Sequence, residues 1–543
     1  MGTTASVRRI RSFFFALSAL ACLTSMESPA AVAAASSGRE ACGALMQRST
    51  PDIQVKEAQW QSATPLPAAP GSPAVTAPEH CLVRLMINAR PSNLPDMGFG
   101  TGVEIRLPRD WNGRLLVQGG GGMNGSLLPA VGRVAGYSSA LERGFAVVST
   151  DSGHQGRSAL DSRFGVDQQA KLDFAYQAVE RATRESKSVL AAYYGRKADH
   201  SYFMGCSTGG REALLAAQRL PFEFDGVVSG NAARNFTRVV SNQIWSLQTV
   251  TRIAPLDATG HRDLSRAFTD PQLNAVSNAV LEKCDALDGL RDGMINDYKA
   301  CRFSPKTLVC GKSGAPTAGS CLTAPQADAL EKIFGGARNS RGEPIYGDFP
   351  FDTGIATAAW RGMHLGTNGN PPANATLGAE TLRNYVLTPP DPKVDPLLFN
   401  FDGDLARTTE TAAINDATGT QHSTFAGRGG KLIIYHGLSD QAMSTGSLVE
   451  WYEQLTPRDG NGPQSWARLF LVPGMTHCGG GQSTDQFDML TAIQAWVEDD
   501  KAPDRIVAKG NAFPGRTRPL CVHPRVARYD GGNADDERSF SCR

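Results

Sequence analysis

Five residues near the middle of the chain, Gly205-Cys206-Ser207-Thr208-Gly209, spell G-x-S-x-G. A strand-like run, Ser201-Tyr202-Phe203-Met204, precedes them, and a helix-like run, Arg211 to Arg219, follows. That context predicts a sharp strand-to-helix turn with Ser207 at its tip. Small flanking residues relieve the crowding, and the helix N-terminus faces any anion formed above the serine. The chemistry is acyl transfer: a hydroxyl adds to a carbonyl carbon once a base takes its proton. An ordinary glycine-rich turn can carry the same five letters, so the partners decide.

Six histidines follow Ser207: His261, His364, His422, His436, His477 and His523. The first three fall in irregular sequence and His523 in a proline-rich tail. His477 lies in Pro473-Gly474-Met475-Thr476-His477-Cys478-Gly479, after the strand-like Arg468 to Val472, and is expected to be the general base. His436 also follows a strand, but its acid would have to come from the irregular segment. Asp440 follows the strand-like Lys431 to Tyr435. It is expected to accept the imidazole N–H, fix the tautomer and stabilise the imidazolium. Asp485 and Asp488 come after His477, the wrong order for this architecture. The oxyanion needs two N–H donors, expected from Thr208 and from Gly119 in Gln118-Gly119-Gly120-Gly121-Gly122. A phosphate loop is excluded because the run lacks the Lys-Ser/Thr ending.

These residues need elements to position them. Cys81 to Ile87, Arg114 to Val117, Gly144 to Thr150, Ser201 to Met204 and Asp225 to Gly230 read as strands. Phe174 to Tyr194 and Arg211 to Arg219 read as helices between them. Alternating strands and helices predict a mostly parallel sheet covered on both faces. From about Ala232 to Ala426 the alternation disappears; it returns at Lys431, and Asp485 to Glu498 reads as a helix with Met489, Ile493 and Trp496 on one face. The expectation is an α/β fold, an α/β-hydrolase domain in two parts, 36–231 and 427–543, interrupted by a lid insertion at 232–426.

The first 33 residues read as an export signal: Arg8, Arg9 and Arg11, then apolar Phe13 to Leu23, then small Ala31-Val32-Ala33. Lipid attachment at Cys22 is the alternative. No later segment reads as a membrane span. Removing Cys22 leaves ten of the 11 cysteines, an even number that suits disulfides in a secreted or periplasmic protein. Local spacing pairs Cys284 with Cys301, Cys310 with Cys321, and Cys521 with Cys542. Cys206 adjoins the nucleophile and Cys478 the base, so a working triad brings those two sulfurs together. Lys+Arg 54 against Asp+Glu 53 leaves no basic excess for phosphates, which argues against a nucleic-acid partner. Cys284 to Asp297 carries aspartates separated by glycines. Asp285, Asp288 and Asp292 with the carbonyls of Leu290 and Met294 suit a calcium ion; a solvated acidic turn is the alternative.

Taken together these residues resemble the tannase and feruloyl esterase family. Its Cys-Ser, Asp and His-Cys signature matches Cys206-Ser207, Asp440 and His477-Cys478. The likeness extends to Trp111-Asn112-Gly113-Arg114, Gly119-Gly120, Arg211-Glu212, the acidic loop at Asp285, Val472-Pro473-Gly474-Met475 and Arg516-Thr517-Arg518-Pro519-Leu520-Cys521. It implies a lid bearing the structural calcium and five disulfides: Cys42–Cys81, Cys206–Cys478, Cys284–Cys301, Cys310–Cys321 and Cys521–Cys542. It also implies hydrolysis of small-molecule esters of aromatic acids, of feruloyl, galloyl or terephthalate-monoester type; that chemistry needs no organic cofactor, and a monomer is expected. A serine peptidase and a non-catalytic binding protein on the same scaffold are the rivals. Family members acting on terephthalate monoesters hold the free carboxylate with a lid arginine. Here Asn374-Ala375-Thr376-Leu377 stands in that place. Their aromatic residue after the acid is Met443, their lid tryptophan is replaced around Met363, and their glutamate after the nucleophile is Thr208. Trp360, Arg361 and His364 are lid candidates for substrate contact, with packing as the competing role.

Overall fold

The computed structural model describes residues 1–2, 38–66, 74–367, 369–455 and 462–543. The expected export signal, apart from its first two residues, and Cys22 lie outside the described residues. Twelve strands build or adjoin the main sheet: β1 (Ile53–Gln61), a small hairpin of β2 (Thr64–Leu66) and β3 (Val75–Ala77), β4 (His80–Arg90), β5 (Gly98–Pro108), β6 (Arg114–Gln118), β7 (Ala146–Thr150), β8 (His154–Gln155), β9 (His200–Cys206), β10 (Gly226–Gly230), β11 (Lys431–Gly437) and β12 (Ala467–Val472). The sheet order is β1-β4-β5-β7-β6-β9-β10-β11-β12, with β8 beside β5. Pairing is antiparallel from β1 to β7 and parallel from β7 through β12. The exchange of β6 and β7 in that order, followed by parallel strands, is the α/β-hydrolase arrangement.

The central strands are apolar at consecutive positions because both faces are covered. Leu115, Val117, Phe203, Val227, Leu432, Ile434 and Leu469 fall in one core. Leu116, Tyr202, Val228, Ile433 and Phe470, interleaved with them in sequence, fall in the core on the other face. Helix Ala178–Tyr194 ends at Gly195, whose φ of +70° supplies the left-handed cap. The stretch before it, Asp173–Gln177, is a π-turn rather than part of the expected helix from Phe174. Helix Met489–Asp499 buries Met489, Ile493 and Trp496 as expected, but starts at an Asp488 cap instead of Asp485.

β10 and β11 are hydrogen-bonded neighbours from Gly226↔Lys431 to Gly230↔Tyr435. The long intervening segment is therefore an insertion at the strand ends, and among the described residues none of it joins the sheet. It is helical: Phe236–Ile253, Asp270–Cys284 and Ala324–Phe334 are its longest elements. The second and third begin with capping boxes, Thr269 with Gln272 and Thr323 with Gln326. The insertion has its own apolar core around Val250, Phe268, Val276, Leu330 and Trp360. All five disulfides implied by the family resemblance are formed. No helix among the described residues is long and apolar enough to cross a membrane.

Candidate active site

Ser207 sits between β9 and helix Thr208–Arg219 with φ +62° and ψ −123°. A non-glycine residue in that region costs about 1–3 kcal/mol, and the surroundings hold it there. The Ser207 N–H donates to the Gly230 carbonyl at 3.0 Å, and the Ser207 carbonyl accepts from Arg211 and Ala233 N–H, each at 3.0 Å. The motif glycines serve close approach. A Cβ on Gly205 would stand 2.5 Å from the Gly209 oxygen, and one on Gly209 would stand 2.6 Å from the Gly120 oxygen. The elbow and the glycine loop after β6 therefore press backbone against backbone.

His477 and Asp440 meet from the loops after β12 and β11. The His477 Nδ1–H donates to Asp440 Oδ2 at 2.9 Å, which leaves Nε2 as the basic nitrogen. The acid side chain is fully buried and the imidazole is 21% exposed. Asp440 accepts three further bonds: Asn231 Nδ2 at 2.7 Å, Ala442 N–H at 2.8 Å and Met443 N–H at 3.0 Å. Burial opposes its charge, but the facing His477 and these donors outweigh that and hold its carboxyl at about 2. For His477, burial lowers and Asp440 raises; the balance lies above the ordinary 6.5. The Cys206–Cys478 bridge holds the neighbours of Ser207 and His477 with Cα atoms 6.0 Å apart. Among the described residues no hydrogen bond joins the Ser207 hydroxyl to His477, and the disulfide between their neighbours is what brings the two together. His436 takes no part: it is fully buried and its Nε2 donates to the Met443 carbonyl at 3.1 Å, bracing the acid loop.

Of the two expected oxyanion donors, Gly119 differs from expectation. The Gly119 N–H is already engaged, donating to the Met204 carbonyl at 2.9 Å as an extension of the β6–β9 ladder. The Gly120 N–H donates to Glu212 Oε2 at 2.9 Å. The Gly120 carbonyl accepts from Gly209 N–H at 3.1 Å, so it points at the helix N-terminus. In a trans peptide the next N–H points the opposite way, which turns Gly121 N–H toward the open side of the loop. A Cβ on Gly121 would meet nothing within 4 Å. Thr208 N–H, the first of its helix, has no intrahelical partner.

The acidic loop is folded on itself. Asp285 accepts from Asp292 and Gly293 N–H, and Asp288 from Leu290 N–H and Asn296 Nδ2. Asp292 accepts from Met294 N–H and pairs with Arg518. Burial pushes Asp288 up to about 6, and the charges of Asp292 and Asp285 add to this. Among the described residues no group of three or more acidic, histidine or cysteine side chains stands ready to hold a metal ion. The donors are nonetheless all oxygen, with surplus negative charge, which is the chemistry of a calcium site. The lid candidates are each engaged in packing or hydrogen bonding, and Trp360 and His364 also line a cavity with Asp440 and Gln441. Trp360 is in the insertion core, and Arg361 pairs with Asp270 and donates to the Ser265 and Phe268 carbonyls. Buried His364 donates to the Gln441 carbonyl at 3.2 Å. Met363 and Leu377 pack on the cluster containing Met123, Phe236 and Met443.

The sequence model of the tannase and feruloyl esterase family matches residues 86–543. The chain belongs to this family. It is a carboxylic ester hydrolase acting on small molecules. A mono(2-hydroxyethyl) terephthalate hydrolase of Piscinibacter sakaiensis is 37% identical to this esterase over 90% of the chain and 88% of the relative. A probable feruloyl esterase B-1 of Aspergillus oryzae is 30% identical over 81% and 80%. The crystal structure of feruloyl esterase B from Aspergillus oryzae superposes with a TM-score of 0.77 at 25% identity, covering 93% of this chain and all of the other. Tannin acyl hydrolase from Aspergillus niger gives 0.67 at 19% identity, covering 94% of each, which bears on the fold alone. Sequence reasoning passed over Asn231 and Gln441 in this esterase. Asn231 follows β10 and bonds the acid; Gln441 accepts the His477 N–H at 3.3 Å. Neither carries a signal in sequence beyond lying at a strand end near a motif.

Proposed function

We propose that this esterase cleaves esters of aromatic carboxylic acids through an acyl-enzyme on Ser207. His477 takes the serine proton as the hydroxyl adds to the ester carbonyl, then returns it to the departing alcohol. Asp440 holds the imidazole tautomer and balances its charge. Thr208 and Gly121 N–H receive the oxyanion; the second replaces Gly119, whose N–H is engaged in the sheet. Water then attacks the acyl carbon by the same relay, and the free acid leaves. The observation that carries this reading is the Asp440–His477 bond of 2.9 Å on a loop disulfide-bonded to the Ser207 elbow.

Asn374-Ala375-Thr376-Leu377 standing in the place of the carboxylate-holding lid arginine supports an acyl group without a charged end. This favours feruloyl- or galloyl-type esters over terephthalate monoesters. The insertion at 232–426 serves as the lid over the acid and base loops. The tie supporting it is Asp352 Oδ2 in the insertion, which accepts Gly474 N–H at 2.9 Å. Asp285, Asp288 and Asp292 with the Leu290 and Met294 carbonyls would hold a structural calcium, which would supply positive charge and no chemistry. Export is supported by the five disulfides, which persist in oxidising compartments.

The deciding experiment is a hydrolysis panel of ferulate, gallate and terephthalate monoesters on the wild type and Ser207→Ala. Loss of the nucleophile should lower kcat by at least ~10³. A Ser207→Ala enzyme with near-normal turnover would refute the mechanism.

A further inference from the structure

Behind the glycine loop lies a carboxylate with no ion-pair partner among the described residues. Glu212, on the helix after the nucleophile, is 1% exposed. Its Oε2 accepts Gly120 N–H at 2.9 Å. Its Oε1 accepts Asn124 Nδ2 at 3.0 Å and Ser152 Oγ at 2.9 Å. The neighbouring cation, Arg211, faces away and donates to the Phe174, Ala175 and Asn415 carbonyls. Its oxygens are satisfied only by neutral donors.

Costs gather at the same place. Asn124 and Ser152 both adopt left-handed backbone conformations, with φ of +49° and +63°. Asn124 must turn its amide N–H toward the carboxylate, and its Oδ1 is left buried without a partner, at a cost of about 1–3 kcal/mol. Strain and unmet bonding that cluster beside a reacting centre point to a functional constraint.

The constraint is the orientation of one peptide. Gly120 is held at both ends: its N–H by Glu212 and its carbonyl by Gly209 N–H. Asn124 N–H holds the Gly121 carbonyl at 2.9 Å, and Thr208 Oγ1 holds the Gly122 carbonyl at 2.6 Å. With those anchors the Gly121 N–H has one direction to face, whereas a free four-glycine run would sample many. An ionised acceptor gives the stronger, more directional bond. We propose that Glu212 is a positioning residue for ester hydrolysis: it pre-sets the Gly120–Gly121 peptide so that an oxyanion donor is aimed before substrate arrives. This rests on the Ser207 acyl-enzyme reading.

The test compares wild type, Glu212→Gln, Glu212→Ala and Ser207→Ala. Hydrolysis of 4-nitrophenyl benzoate is measured on each, and inhibition by phenylboronic acid and titration of Ser207 with a fluorophosphonate on the three that keep the serine. Boron takes the electron pair of the serine oxygen while its proton passes to His477, giving a tetrahedral anion that uses the oxyanion donors. Mis-aiming a catalytic group costs about 10²-fold. Glu212→Ala should therefore lower kcat by about 10² with KM within about threefold. Glu212→Gln, which keeps an acceptor oxygen but no charge, should lose about 10-fold and is the variant to read where Ala fails to fold. The inhibition constant for the boronate should rise by the same factor as kcat/KM falls, per titrated serine. The acid limb of the pH profile should stay where it is in wild type, because His477 is untouched. Wild-type kcat and boronate affinity in both Glu212 variants would overturn the proposal. So would a loss confined to the fraction of titratable serine, because Glu212 would then support folding alone. Failure of the underlying mechanism reads differently, as activity retained by Ser207→Ala.

Discussion

Asp440 engages four donors, and His477 is only one of them. Three of these donors fix the carboxylate independently of the imidazole, and its charge acts on that ring. Because Asp440 overcomes burial and raises His477 above 6.5, the imidazole protonates at a higher pH than an ordinary histidine. Only the neutral ring can accept the Ser207 proton, so kcat/KM should fall on the acid side with a midpoint above 6.5. Asp440→Asn removes the raising charge and leaves burial, so the midpoint should move down while kcat drops by about 10⁴, the order seen when a triad acid loses its charge. A pH–rate profile checks both, and an unmoved midpoint would separate Asp440 from the base. The linked stability runs in two directions. The depressed Asp440 contributes stability above its ordinary 3.8, lost as pH falls through about 2. The raised His477 contributes below 6.5 and loses it as pH rises through its folded value. Both describe one ion pair and are counted once.

At the scale of elements, the acidic loop is a junction between the insertion and the C-terminal segment. Arg518 pairs with Asp292, and Arg528 pairs with Asp297 and donates to the Leu287 carbonyl. A cation held there would quiet the mutual repulsion of Asp285, Asp288 and Asp292. Calcium at about 100 times its Kd would add about 2.7 kcal/mol, so chelation should lower Tm by several degrees and added calcium should restore it. Asp288→Asn should abolish the difference between the two conditions. Identical melting with chelator and with calcium would remove the ion from the loop. The elements that sequence exposed are those with uninterrupted apolar runs, such as Leu115-Leu116-Val117 and Leu432-Ile433-Ile434. The long helix Phe236–Ile253 stayed hidden because it buries Thr237, Ser241, Asn242, Gln243, Ser246 and Gln248, which blur any apolar period. The meeting of Asp440 with His477 was legible because each lies just past a strand end. The Gly119 donor was misjudged because four consecutive glycines look alike in sequence, and only the pairing of β6 with β9 shows which N–H is taken.

Across the whole molecule, one covalent bond carries information that the sheet alone does not. Cys206–Cys478 joins positions 272 residues apart, whereas Cys310–Cys321 joins positions 11 apart within the insertion. If the bridges act by restricting the unfolded chain, the long closure contributes about 5–6 kcal/mol and the short one about 3 kcal/mol. They also differ in what they hold. The long bridge is one residue from Ser207 and one from His477; the short one lies far from both in sequence. Replacing Cys206 and Cys478 together with alanine should therefore lower stability more than replacing Cys310 and Cys321. It should also lower kcat by about 10² as the base drifts from the nucleophile, while the short-bridge variant keeps its turnover. Chemical unfolding and steady-state kinetics on the two double variants separate the effects. Equal stability losses would undercut the loop-closure argument. Full turnover without the long bridge would show that the β11 and β12 loops, with Asp352 bonded to Gly474, align the triad by packing alone.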